Sequence, residues 1–256
     1  MKRVRVIPTL LVQKGGLVKS VKFKNHNYVG DPINAVKIFN EKEIDEIVIL
    51  DISATSEKRG PYIDIIRDIT SEAFMPVGYG GGIRTLQEIR ELIFAGVEKV
   101  ILNTIAFEKP ELVTQASKIL GSQSIVVSVD VKRKIFGGYT VCVENGRRMI
   151  GVDPVTYCKQ MEEAGAGEIL LNSIDRDGTY QGYELKLIQQ VSSQLNIPVV
   201  AIGGASDIGD FRQAVVHGAS AVAAGSLFIY QRPHNAVLIS YPSQQKLKEQ
   251  LFDEIL

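Results

Sequence analysis

Residues 75–105, MPVGYGGGIRTLQEIRELIFAGVEKVILNTI, and residues 197–227, IPVVAIGGASDIGDFRQAVVHGASAVAAGSL, are two copies of one unit. They align without a gap at a shift of 122 positions, which puts Pro76 on Pro198, Gly81 on Gly203, Gly82 on Gly204, Gly96 on Gly218 and Thr104 on Ser226. The same shift carries Glu46, in DEIVIL, onto Glu168, in GEILLN. Each copy reads strand, helix, strand. Short Val/Ile-rich runs give the strands, and an amphipathic stretch closed by Gly96 or Gly218 gives the helix.

The rest of the chain continues the alternation. Strands are expected in VRVIPTLLV near the start, EIVILD from Glu46, PVGYG from Pro76, KVILN from Lys99, SIVVSVD ending at Asp130, EILLNS from Glu168, PVVAIG from Pro198 and AVAAG from Ala221. Continuous apolar runs of this kind mark parallel strands covered on both faces. Eight strand–helix pairs in 256 residues predict one (β/α)8 barrel, a fold of ~250 residues. The expected division is a single domain over 1–256, with half-barrels at about 1–121 and 122–240 and a C-terminal helix over 243–253. Turn signals at Gly137-Gly138 and Asn145-Gly146 predict a β-hairpin excursion after the fifth strand.

Composition removes several classes. Twenty-nine basic and 29 acidic residues leave no positive field for a nucleic-acid backbone. No apolar run has membrane-span length, and MKRVRVIP leads into a strand rather than a signal peptide. Cys142 and Cys158 lack metal or pairing spacing, so a cytoplasmic setting is expected. His26, His217 and His234 show no metal spacing either. Neither a metal nor another cofactor is expected.

In such barrels chemistry sits at the carboxyl ends of the strands. Two Gly-rich turns with polar partners stand there: Gly81-Gly82 with Asn103-Thr104, and Gly203-Gly204 with Gly225-Ser226. Each offers backbone N–H groups and a hydroxyl to an anion. Their recurrence at one shift predicts two phosphate sites across the mouth, hence a long, doubly phosphorylated small-molecule ligand. Asp130, closing an otherwise apolar strand, is the expected catalytic carboxylate. Asp175 and Asp177, in SIDRDGT, are auxiliary candidates, with turn capping as the competing role for Asp175. At the opposite end, Arg5, Glu46, Lys99 and Glu168 begin strands one, two, four and six. They are either solvated strand ends or, if all point inward, a ring of alternating charge.

The motifs GDPINAV at Gly30, DEIVILDISAT at Asp45, YGGGIRT at Tyr79, NT at Asn103, VDVKR at Val129 and AGAGEILLNSIDRDGT at Ala164 resemble the cyclase subunit of imidazole glycerol phosphate synthase. The likeness runs from about Val4 to Phe228. It implies a glutaminase docked at the N-terminal face, whose ammonia passes a gate of four charged residues, here Arg5, Glu46, Lys99 and Glu168, and ascends the barrel axis. It also implies cleavage and cyclisation of phosphoribulosyl-formimino-aminoimidazole-carboxamide ribotide to imidazole glycerol phosphate and aminoimidazole carboxamide ribotide. Lys19 matches a substrate-holding position, and Asp130 one of two catalytic aspartates.

The second aspartate is missing. The family opening, close to Pro-Cys-Leu-Asp-Val-Lys-Asp-Gly, reads here Pro8-Thr9-Leu10-Leu11-Val12-Gln13-Lys14-Gly15. Leu11 neither donates nor accepts a proton, and losing a general acid or base costs on the order of 10²–10⁴ in rate. Tyr79, at a usually small position, and the tail RPHNAVLISYPS from Arg232 also depart from the pattern. These departures resemble a branch associated with surface-polysaccharide synthesis, in which the barrel conducts ammonia for converting an acetamido sugar into an acetamidino one. A non-catalytic sugar-phosphate binding module is the third reading.

Overall fold

A computed structural model describes residues 3–255. β1 (Arg5–Gln13) leads into an antiparallel ribbon, β2 (Gly16–Val21) and β3 (Lys24–Gly30), and then α1 (Pro32–Asn40). β4 (Ile47–Asp51), α2 (Ile63–Glu72), β5 (Val77–Gly80), α3 (Leu86–Phe94), β6 (Lys99–Leu102), the one-turn α4 (Thr104–Glu108) and α5 (Pro110–Leu120) follow. β7 (Ile125–Arg133) again carries an antiparallel excursion, β8 (Tyr139–Val143) and β9 (Arg148–Met149). Beyond it come α6 (Pro154–Glu163), β10 (Glu168–Ser173), α7 (Leu185–Ser192), β11 (Val199–Ile202), α8 (Ile208–Val216), β12 (Ala221–Ala224) and the short α9 (Ser226–Ile229). A small ribbon of β13 (Tyr230–Gln231) and β14 (Ala236–Val237) precedes α10 (Gln244–Leu247).

The parallel strands run β1-β4-β5-β6-β7-β10-β11-β12, and β12 pairs back onto β1, with Arg5 opposite Ala221 and Pro8 opposite Ala224. The sheet therefore closes, and the eight-stranded (β/α)8 barrel expected from the repeat is the fold that forms. Along each strand alternate residues point in and out. Ile7, Val48, Ile101, Val126, Leu170, Val200 and Ala223 fill the barrel interior as one cluster. Their neighbours Val6, Ile47, Val100, Val127 and Ile169 pack outward against the helices.

The 122-position repeat extends into the contacts. Thr85 caps α3 by accepting the Glu88 N–H, and Asp207 caps α8 by accepting the Asp210 N–H. The Thr70 hydroxyl donates to the Ala95 carbonyl, and the Ser192 hydroxyl to the His217 carbonyl. Gly81 and Gly203 take positive φ, +124° and +98°. A Cβ there would lie 2.8 Å from the Asp51 Cβ or the Ser173 carbonyl oxygen, each at the end of the preceding barrel strand. The glycines thus serve the packing of neighbouring βα loops as well as any ligand.

Three features add to or correct the reading of the sequence. The ribbon β2–β3 was unforeseen, because its second strand, KNHNYVG, is almost wholly exposed and lacks an apolar face. The helix expected over 243–253 is α-helical only from Gln244 to Leu247 and then widens into a π turn, Lys248–Phe252. Tyr79 is 3% exposed and belongs to the outward layer, packed with Ile65, Ile66 and Ile69 of α2, so its bulk bears on helix packing rather than on the barrel mouth.

Candidate functional site

A cavity of about 710 Å³ opens at the carboxyl ends of the strands. Both Gly-rich turns line it, as do Asn103, Thr104, Gly225 and Ser226. The repeat places one turn at the end of β5 and the other at the end of β11, so the two anion-binding candidates are set by the two halves of the barrel. They are not equivalent. Lys58, Arg84, Lys109 and Arg147 join the lining beside the first-half residues. Among the described residues lining the cavity, the only other cation of Lys or Arg type is Lys19. The β5 side therefore offers several charge-assisted bonds to an anion, whereas the β11 side has backbone N–H groups, the Ser226 hydroxyl and one ammonium, that of Lys19, which lies against Gly225. Thr104 Oγ1 already accepts the Glu144 N–H at 3.0 Å, and Asn145 Nδ2 donates to the Ile52 carbonyl at 2.6 Å. The excursion after β7 is thereby tied to the ends of β4 and β6, and Glu144, Asn145 and Arg147 enter the cavity wall. Sequence reasoning marked this turn by Asn145-Gly146 but not these side chains.

Asp130 lies on the inward face of β7, 7% exposed. Asn103 Nδ2 donates to its carboxylate at 3.2 Å, and the Asn172 amide stands opposite it in register on β10. Burial pushes its pKa up to about 7, while the Asn172 and Asn103 amides pull the other way. A carboxyl so placed exchanges a proton near neutrality. Lys19, on β2, is 4% exposed and its Nζ donates to the Thr9 carbonyl at 2.8 Å. Burial lowers its pKa to about 8, opposed by the Asp177 charge. Gly225 leaves the room Lys19 needs, since a Cβ there would collide with its Nζ. Asp177 also lines the cavity and accepts a bond from Ser20 Oγ at 3.2 Å; burial raises its pKa too.

The structure separates Asp175 from this group. It lies outside the cavity wall and accepts the Arg133 N–H at 2.8 Å, at the turn end of the β7–β8 hairpin. That bond reaches 42 positions back along the chain to the end of β7, so it ties two loops together rather than capping the turn Asp175 belongs to. Leu11, by contrast, lines the cavity, opposite Leu50 in register and two residues beyond Thr9 on the inward face of β1. No carboxylate takes its place on that strand.

At the other end of the barrel, Arg5, Glu46, Lys99 and Glu168 all turn inward and close a ring. Arg5 Nη1 bonds Glu46 Oε2 at 2.5 Å, and Arg5 Nη2 bonds Glu168 Oε1. Lys99 Nζ reaches Glu46 Oε2 and Glu168 Oε2, each at 2.8 Å. Two positive and two negative side chains alternate, so the ring is neutral. The inward columns of the strands rise from it through the apolar cluster to the cavity floor. Among the described residues, no three His, Cys, Asp or Glu side chains gather as a metal-binding group, and no helix is long and apolar enough to cross a membrane.

Comparison with known proteins agrees with this architecture. A Pseudomonas aeruginosa protein provisionally named imidazole glycerol phosphate synthase subunit hisF2 is 48% identical over 251 residues, covering 96% of this chain and 99% of the relative. A Leptospira interrogans protein, provisionally named subunit HisF of that synthase, is 45% identical over 98% of this chain and its own full length. The Alkaliphilus metalliredigens imidazole glycerol phosphate synthase subunit HisF is 42% identical over 88% of this chain and 90% of its own. A family model described as histidine biosynthesis protein matches residues 5–234. The chain belongs to the histidine biosynthesis protein family.

Proposed function

We propose that this chain is the cyclase-type subunit of a glutamine amidotransferase of the imidazole glycerol phosphate synthase kind. A glutaminase docks at the N-terminal face and releases ammonia. Ammonia crosses the ring of Arg5, Glu46, Lys99 and Glu168, follows the apolar interior, and meets a phosphorylated substrate in the mouth. The observation that carries this reading is the alignment of three features: a neutral charged ring, an apolar interior and a cavity with paired anion turns. In the mouth, the Gly81-Gly82 and Gly203-Gly204 turns hold the two phosphates, and Lys19 orients the substrate. Asp130 moves protons. Purified chain given phosphoribulosyl-formimino-aminoimidazole-carboxamide ribotide and ammonium salt is expected to form imidazole glycerol phosphate. Absence of product from folded protein that binds the bisphosphate would reject the histidine-pathway reaction.

Leu11 favours a second reading. With one proton-transfer carboxylate replaced by a leucine beside Leu50, the barrel delivers ammonia rather than completing a cyclisation. The acceptor is then an acetamido sugar, converted to its acetamidino form by a partner amidotransferase. A complex with glutaminase that hydrolyses glutamine and amidates the sugar, yet leaves the bisphosphate intact, selects this alternative.

A further inference from the structure

Among the described residues, two buried side-chain polar atoms have no hydrogen-bond partner: Thr9 Oγ1 and Asn172 Oδ1. Thr9 is 2% and Asn172 6% exposed, and both line the floor of the cavity. Buried acceptors without partners lower stability. Their position is informative. Along the inward face of β1, Thr9 follows Ile7, and along that of β10, Asn172 follows Leu170. Ile7 and Leu170 both belong to the apolar interior cluster. The two oxygens therefore stand where the apolar interior gives way to the mouth. Asn172 stands opposite Asp130 in register, with its amide oxygen beside the turn at Gly203 and without a partner. Lys19 fixes the Thr9 backbone through its carbonyl, at 2.8 Å, and leaves the hydroxyl open.

We propose that Thr9 Oγ1 and Asn172 Oδ1 form a receiving site for a single ammonia molecule as it leaves the barrel interior. Ammonia carries three N–H donors and one lone pair. Two acceptor oxygens engage two of the N–H groups and leave the lone pair free for attack on a substrate held in the cavity. This deepens the ammonia-delivery reading and rests on it, but applies whichever substrate accepts the nitrogen. The two residues position the nucleophile; Asp130 remains the group that exchanges protons.

The test needs no turnover. The ¹⁵N-labelled subunit is titrated with ammonium chloride at one fixed pH above the ammonium pKa, with potassium chloride as the ionic-strength control, and the Asn172 side-chain amide signals are followed. The wild-type signals shift saturably with ammonia and not with potassium. Thr9→Val, which keeps the shape and removes the hydroxyl, weakens the titration about fivefold, as expected for one neutral hydrogen bond. Thr9→Ser restores it. Because the hydroxyl has no structural partner, Thr9→Val melts no lower than wild type, which separates a binding role from a folding role. No saturable shift in the wild type, or a Thr9→Val titration indistinguishable from wild type, overturns the site. Failure to turn over the bisphosphate would reject the histidine-pathway reaction while leaving this result to stand on its own.

Discussion

Lys99→Met tests the charged ring where its electrostatics are most exacting. Lys99 Nζ lies 2.8 Å from a carboxylate oxygen of Glu46 and 2.8 Å from one of Glu168, residues that are 3% and 5% exposed. Removing it leaves two buried carboxylates sharing Arg5 alone. Breaking a buried ion pair from one side costs ~3–5 kcal/mol. Here each carboxylate keeps a bond to Arg5, whose side chain is 31% exposed and admits solvent screening, so the loss falls to about 2–3 kcal/mol. For a domain of this size that lowers Tm by about 4–12 °C. The sharper test is the sign of the coupling. Lys99→Met combined with Glu168→Gln removes one charge of each sign, leaves Arg5 paired with Glu46, and lets the new amide oxygen accept from Arg5. The double variant is therefore more stable than Lys99→Met alone. Thermal unfolding of the single and double variants, followed by circular dichroism, measures this. Free energies that add within about 0.5 kcal/mol would refute the closed ring. In complex with the glutaminase, the same Lys99→Met variant consumes more glutamine per product formed than wild type, since the ring is the entrance for ammonia in the proposed function.

Four further outcomes follow from the mouth. Leu11→Asp restores a carboxylate on the inward face of β1 and raises imidazole glycerol phosphate formation from the bisphosphate and ammonium salt, by at most about 10²–10⁴-fold; no gain in a variant that folds and binds would mean the missing acid is not the block. For the pH dependence of kcat/KM, Asp130 titrating at about 7 and Lys19 at about 8 give a narrow bell, with Asp130 ionised and Lys19 protonated between the two, and a profile flat across that window would contradict it. Stability obeys the opposite logic for the two groups: the raised Asp130 value means wild type loses stability relative to Asp130→Asn as pH rises toward about 7, whereas the lowered Lys19 value means wild type gains on Lys19→Met as pH rises above about 8. Gly204→Ala, at φ +105° with a Cβ that would overlap the Gly182 carbonyl oxygen, costs about 1–3 kcal/mol in backbone strain before that overlap is counted, so it lowers Tm as well as weakening bisphosphate binding in calorimetry.

The fold was legible because its signals are carried by chain-local features that repeat. Gly81, Gly96 and Thr104 have counterparts at one fixed shift, and the strands are unbroken apolar runs that only a doubly covered parallel sheet accommodates. The β2–β3 ribbon was not legible, because β2 is buried while its partner β3 is almost wholly exposed and leaves no apolar period to read. The excursion after β7 was, because its turns need Gly137, Gly138 and Gly146 at positive φ. The candidate site divides in the same way. Its glycines and Asp130 stand at strand ends where sequence alone places them at the mouth. The charged ring is different: Arg5, Glu46, Lys99 and Glu168 sit 41 to 163 positions apart in pairs, and only closure of the sheet decides whether strand-end charges meet on the axis or face water. Thr9 and Asn172 carried no signal at all, because an unsatisfied hydrogen-bond acceptor is a property of surroundings rather than of residue type.

The mouth also bears on the meaning of Leu11. A cavity that had lost its chemistry would have no physical reason to keep polar groups that work against folding. This one retains Asp130 and Lys19 at the expense of desolvation, and two acceptors without partners. None of the four is held by a compensating ion pair of the kind that closes the ring below. Groups that lower stability and converge on one cavity mark a working surface. On the proposed function, the leucine therefore removes one element from a site that is otherwise suited to nitrogen delivery. Chemistry needing two carboxylates on facing strands is weakened, whereas chemistry needing a dry path, an oriented ammonia and one proton-exchanging acid is not. The distinction is measurable in a single preparation: with glutaminase bound, Asp130→Asn abolishes nitrogen transfer to the true acceptor, while Leu11→Asp improves only the cyclisation. Equal responses of both reactions to Leu11→Asp would show that delivery and cyclisation share the missing acid, and the separation argued from the geometry would be wrong.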